Sequence, residues 1–364
     1  MGTIITSAGP PQPLTTRVAG WPRWRALVVI AVLLAVLAAA GWSAGHGPAP
    51  KLNTTTAEAS DLDLYREIIT RTRGGEPYYA AAAASLRENG YPLKPVFTFR
   101  LPVLHWLFAR LGDRVMMGAQ GLLAVGIVAA WFWRLRDRMP LVPLAVAMML
   151  LASGLVILLG PGASVFAETW AGMFLALMVG LWRPTRWWPA LIAGAAALAL
   201  RELALPMIAG MAMLALIERR WREASGWAAV IAGFAVEMML HAHAVAAVVR
   251  ASDPSSQGWA QMLGAPFALK ALASVTLVVL LPAAIAAMLL TLALAGWLSV
   301  RTEWGLRAAA LMAGYVATVA LLARADTSYW ALLTAPLALM GLTFVPALLR
   351  DLAAALRAVP SASP

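Results

Sequence analysis

Two carboxylates, Asp61 and Asp63, open the stretch DLDLYREIITRTRGGEPYY at residues 61–79. An acid beside a hydroxyl can take its proton as the oxygen attacks, worth roughly 10²- to 10⁴-fold in rate. Asp61 is the first choice for such a general base and Asp63 the second. The same spacing also fits helix chemistry: Ser60 with Asp63 makes a capping box, and Asp61 in the first turn favours the helix dipole. Tyr65, Tyr78, Tyr79 and Tyr91 share this part of the chain, which has 6 tyrosines in all. Their rings can stack on a sugar or form an aromatic belt at a membrane surface.

Other candidates sit at the ends of apolar runs. Glu168, the pair Arg201 and Glu202, and the pair Arg324 and Asp326 are ordinary loop charges or parts of a site. Arginine's planar fork matches phosphate oxygens, which makes Arg201 and Arg324 the phosphate-binding candidates. Arg100 and Tyr329 join the substrate-facing set. Glu237 falls about midway along an apolar run, where a charge costs roughly 2.5–3.5 kcal/mol. His241 follows one turn later on the same face, and His243 points elsewhere. Such a pair suits a polar cavity, a proton path or an interhelical hydrogen bond. The chain holds no Gly-rich phosphate loop, HExxH motif or nucleophile elbow, and GPGAS at 160–164 reads as a turn.

The elements that must place these residues are membrane spans. The 364 residues are 62% hydrophobic and 12% charged, far outside soluble averages, and several runs reach the roughly 20 residues that cross a bilayer. The expected fold is an all-α polytopic membrane protein of about ten transmembrane helices, at 24–43, 115–134, 140–159, 165–182, 187–200, 203–218, 225–248, 270–298, 304–323 and 329–349. Short basic clusters stay cytoplasmic. Arg17, Arg23 and Arg25 put the N-terminus inside. With ten spans, Arg134/Arg136/Arg138, Arg183/Arg186, Arg219/Arg220/Arg222, Arg301/Arg307 and Arg350/Arg357 all share that side. The net charge of +11 is therefore a topology signal, and no nucleic-acid partner is expected. The absence of cysteine excludes disulfides and thiolate chemistry.

Residues 187–218 are too long for one crossing and short for two; Arg201-Glu202 marks their turn, with Pro206 helping to break the helix. Residues 270–298 read as one long span kinked at Pro282. Residues 1–20 read as a disordered cytoplasmic tail ahead of an uncleaved signal anchor, and 350–364 as a second cytoplasmic tail. The transmembrane domain, 21–349, includes a periplasmic loop at 44–112. In that loop, helical spacing over 61–73 puts Leu62, Tyr65, Ile68 and Ile69 on one face. A second helix over 76–89 ends at the cap signal Asn89-Gly90, and 102–111 is an interfacial helix.

These residues resemble the GT-C superfamily of membrane glycosyltransferases that use polyprenyl-phosphate-linked sugars. The resemblance rests on Asp61 with Tyr65 at the start of a large loop after the first span, on GEPYY at 75–79, on RELALP at 201–206 and on RADTSYW at 324–330. A second acid often follows the first directly in that superfamily; here Leu62 intervenes before Asp63. The resemblance implies inverting transfer from a polyprenyl-phosphate donor to a glycan, lipid or protein acceptor of the cell envelope. The enzyme would sit in a bacterial inner membrane, active on its periplasmic face, with both termini cytoplasmic. No cofactor is expected; some members use a divalent metal, for which Asp61 and Glu168 would be the ligands. The rival is a transporter or flippase for a lipid-linked sugar or other amphiphile, with Glu237 and His241 as coupling residues and 187–218 as broken helices. A non-catalytic subunit of an envelope complex is a third reading.

Overall fold

The computed structural model describes residues 14–46, 48–50, 61–160, 162–259 and 261–357. Among these residues the chain is helical throughout, with no strand beyond two isolated bridges, Thr16 to Val300 and Lys94 to Ser255. A long first helix, α1 (Arg23–Ala44), precedes three short ones, α2 (Asp61–Arg73), α3 (Tyr78–Glu88) and α4 (Pro102–Leu111). The bundle follows as α5 (Asp113–Leu135), α6 (Leu141–Leu158), α7 (Ala167–Leu181), α8 (Trp188–Leu200), α9 (Leu205–Ile217), α10 (Trp221–Val248), α11 (Gly264–Ser274), α12 (Ala283–Ser299), α13 (Glu303–Leu322), α14 (Ala335–Ala338) and α15 (Val345–Arg357). Among the described residues, 6 helical stretches are long and apolar enough to cross a membrane: α1, α5, α6, α10, α13 and Ala335–Arg357. Four more, α7, α8, Glu202–Ile217 and α12, are apolar but shorter.

Apolar residues lie on both the inside and the outside. Nearly all of α7 is buried. By contrast α1 buries only Ala26 and Ala40 and exposes Leu27, Val28, Val32 and Leu34. Exposed apolar rows continue on α5 (Leu122, Val125) and α10 (Val236, Met239, Leu240). Surfaces of that extent are rare where water is the solvent and suit a bilayer.

Residues 325–344 run through the middle of the bundle. They form a 3₁₀ stretch, Ala325–Leu333, then α14, then a second 3₁₀ stretch, Leu339–Phe344. The expected span at 329–349 is thus not one continuous α-helix. Side chains of neighbouring helices are cut away to admit it. A Cβ on Gly296 would overlap the Gly341 carbonyl. Backbone-to-backbone packing of this kind replaces the hydrophobic effect between helices in lipid.

Three further expectations need correction. Residues 270–298 are not one kinked helix: α11 stops at Ser274, Thr276 is extended, Leu277–Leu280 is 3₁₀ and Pro282 precedes α12. Residues 14–20 are not a loose tail. Thr16 donates from its backbone N and its hydroxyl to Asp351 Oδ2 at 3.1 and 2.8 Å, and Arg17 N donates to the Ser299 carbonyl. Nor do 350–357 hang free, because α15 buries Leu348, Asp351, Leu352 and Ala355. Residues 1–13 and 358–364 lie outside the described residues. At 201 the chain turns as expected: Arg201 is extended, a 3₁₀ turn covers Glu202–Ala204, and Pro206 opens α9.

The short helices form a cap on one end of the bundle. In α2 the buried residues are Leu64, Tyr65, Ile68 and Ile69, with Leu62 packed on Gly162. In α4 the buried face is Leu104, His105 and Phe108. The cap is fastened to α10. Arg87 donates from Nε and Nη2 to the two oxygens of Asp253, each at 2.8 Å, and Tyr79 Oη lies 3.0 Å from His241 Nδ1.

The opposite end is knotted by charge. Arg307, fully buried, grips Glu218 with two nitrogens at 3.1 and 2.7 Å and lies 3.5 Å over the Trp182 ring.

Candidate functional site

Asp61 is the first residue of α2 and borders a cavity of about 180 Å³ beneath the cap. The Tyr91 hydroxyl donates to Asp61 Oδ1 at 2.8 Å. Tyr91 is placed by the end of α3. Gly90 takes φ +71, which glycine adopts without a Cβ penalty, and Tyr91 N then reaches back to the Leu86 carbonyl at 2.8 Å. With Gly90 N bonded to Arg87 O, this is a Schellman closure. Burial pushes the Asp61 carboxyl above its ordinary range, while the Tyr91 hydrogen bond and the charge of Arg100 pull it back.

Arg100 faces Asp61 across the cavity. Its Nε donates to Tyr65 Oη at 3.0 Å, its Nη2 to Tyr329 Oη at 2.8 Å and its Nη1 to the Phe97 carbonyl at 3.3 Å. Tyr78 Oη fixes the backbone by donating to the Arg100 carbonyl at 2.7 Å. Among the described residues no carboxylate forms an ion pair with this guanidinium, whose hydrogen bonds go to phenols and a carbonyl. Phe97, 44% exposed, meets Trp259 edge-to-face at the cavity rim, their centroids 6.3 Å apart.

The two arginines expected to hold phosphate are placed differently. Arg201 is buried, with Nε 2.7 Å from Glu168 Oε1 and a second contact to Glu202. The Glu168 approach is a charge contact off the hydrogen-bond line. The charge of Arg201 is thus already matched by two carboxylates. Arg324 is forked onto Asp326 at 2.9 and 2.7 Å and donates to Ser256 Oγ at 3.0 Å. It lines the Asp61 cavity with its charge already matched.

No protein-family model, curated protein or solved structure matches the chain.

The site is therefore read from its own geometry. Asp61, Tyr65, Tyr78, Arg100, Arg324, Asp326 and Tyr329 line one cavity. Arg201 and Glu202 line a neighbouring one of about 220 Å³ that shares Phe97, Arg100, Trp259, Thr327 and Tyr329 with it. Asp63 is exposed on the outer side of α2 and borders neither. Its capping partner Ser60 lies outside the described residues. Tyr79, Glu237 and His241 line a separate lateral groove with Pro102 and Gly233, and His243 is exposed. Glu168 is spent on Arg201, and among the described residues no group of three His, Asp or Glu side chains could hold a metal ion.

The roles of two participants were missed in the sequence. Tyr91 stood only as one tyrosine of four, yet it is the hydrogen-bond partner of Asp61. His105 lines the Asp61 cavity, is 1% exposed and makes no aligned hydrogen bond from either ring nitrogen. Its rings of contact are Tyr65 and Tyr78, at 5.4 and 5.5 Å. A lone histidine on the apolar run LPVLHWLF was the available signal for it.

Proposed function

We propose that the protein is an inverting glycosyltransferase that moves a sugar from a polyprenyl-phosphate donor to an envelope acceptor, with Asp61 as general base. The observation that supports this is the pairing in one cavity of a proton-accepting carboxylate whose basicity is raised by burial with Arg100, a cation lacking a carboxylate partner. In the step, Asp61 takes the proton of the acceptor hydroxyl and that oxygen bonds to the anomeric carbon. The bond from that carbon to the phosphate oxygen breaks, and the phosphate leaves with the electron pair. Arg100 is the group placed to balance the leaving charge. Phe97 and Trp259 at the rim offer faces to a sugar ring. On this reading the six long and four shorter apolar helices make ten crossings, and the cap of α2–α4 lies on the periplasmic side of a bacterial inner membrane.

The test is incubation of the purified protein with polyprenyl-phosphate sugars, following sugar release and transfer. Wild type and Asp63→Asn should turn over, and Asp61→Asn should not. Full activity in Asp61→Asn sinks the assignment. Counter-flux of the lipid in liposomes without turnover would instead favour the transporter, for which the separate Glu237 groove is the natural path.

A further inference from the structure

Helix α2 has two working faces. Asp61, Leu64, Tyr65 and Ile68 turn toward the cavity under the cap. Arg66, Ile69, Thr70 and Arg73 turn the other way, into a second cleft of about 650 Å³. That cleft is bounded by α2, by the start of α5 and by the turn between α6 and α7, and it shares no lining residue with the Asp61 cavity.

The cleft is divided by chemistry. Its upper part is cationic and hydroxylic. Arg66 is exposed, and its guanidinium has no partner among the described residues. Arg73 is only partly matched, by Asp113 at 3.1 Å and the Phe108 carbonyl at 3.3 Å. Thr70 and Ser164 stand beside them. Its lower part is apolar, walled by Phe108, Met117, Leu159 and Val165. At the floor Gly121 has open space where a side chain would stand. The same flank of α5 exposes Met117, Leu122 and Val125 at 58, 75 and 68%, so the cleft opens onto the surface that a bilayer covers.

We propose that this cleft binds an anionic phospholipid, its phosphate on Arg66 and Arg73 and an acyl chain over Met117 and Gly121. Charge complementarity selects an anionic headgroup, since basic side chains near a membrane surface each contribute about 1 kcal/mol toward anionic lipid. The apolar lower half and its opening beside α5 select a lipid over a small soluble phosphate. The site is independent of the transfer chemistry and stands whether or not Asp61 is a base.

The test is native mass spectrometry of the full-length protein in detergent, with phosphatidylglycerol or phosphatidylcholine added and melting curves taken alongside. Wild type should retain phosphatidylglycerol in preference to phosphatidylcholine. Arg66→Gln, which breaks no side-chain contact among the described residues, should weaken phosphatidylglycerol retention roughly five-fold, the loss of one such contact. Gly121→Leu, which grows into open space, should lower retention without altering charge. The proposal is overturned if the two lipids bind alike, or if Arg66→Gln binds phosphatidylglycerol as wild type does. It is equally overturned if glycerol phosphate displaces the lipid at matched concentration.

Discussion

Burial decides what Asp61 does at a given pH. Its carboxyl titrates above 3.8 chiefly because the cavity desolvates it. A carboxyl whose folded pKa exceeds its unfolded value binds more protons in the native state, so stability falls as pH rises through that window. At neutral pH the ionised side chain is thus a cost to the fold. Asp61→Asn should keep or raise the melting temperature while transfer drops roughly 10²- to 10⁴-fold; a lower melting temperature would make the carboxylate structural instead. His105 works in the other direction. Burial first, then Arg100, push its imidazole down to about 4. A histidine depressed below its unfolded value of 6.5 contributes full stability above that pH and loses it as the pH falls toward 4. The loss is roughly 3 kcal/mol at the acid end. Melting curves between pH 7 and pH 4.5 should show this decline, and it should flatten in His105→Gln. The charged candidates were visible in the sequence as residue types, but their pairing was not. RADTSYW does not reveal that Asp326 has already claimed Arg324, and no local pattern links Arg201 to Glu168, 33 positions away.

Where local rules decide, the helices were legible. Of the expected face of α2, Tyr65, Ile68 and Ile69 are buried, with Leu64 rather than Leu62 completing it, and Asn89-Gly90 marks the end of α3. That end has a function beyond stopping a helix, because it aims Tyr91 at Asp61. A side chain at Gly90 costs about 1–2 kcal/mol in its left-handed conformation. Gly90→Ala should therefore lower the melting temperature and also shift the acid limb of the activity profile upward, since the hydrogen bond that lowers the Asp61 pKa is loosened. Tyr91→Phe should give the same upward shift. A pH profile that stays put in both variants would separate the cap from the chemistry. What the sequence concealed was continuity. In ALASVTLVVLLPAAIA every residue suits a bilayer, so hydropathy reads one span across a break. The β-branched residues Val275, Thr276, Val278 and Val279 ahead of Pro282 were the available sign, as they favour extended backbone and the residue before proline leaves the α region. In 325–344 Pro336 and Gly341 were the local signs, while the close approach to glycines of α7 and α12 was not visible in the sequence.

The molecule as a whole keeps its two ends for different tasks. One end carries the buried ion pair of Arg307 with Glu218, joined by two hydrogen bonds. The other carries cavities, an unmatched arginine and a cap held by a few polar clasps. The strap at the chain's start adds a constraint in time. Thr16 meets its partner Asp351 335 positions further along the chain, so the clasp closes only after α15 has been made. Asp351→Ala, which removes the acceptor of both Thr16 donors, should lower the melting temperature, and an unchanged melting temperature would make the clasp incidental. One buried carboxylate thus acts as a latch that joins the segment ahead of α1 to the last described helix.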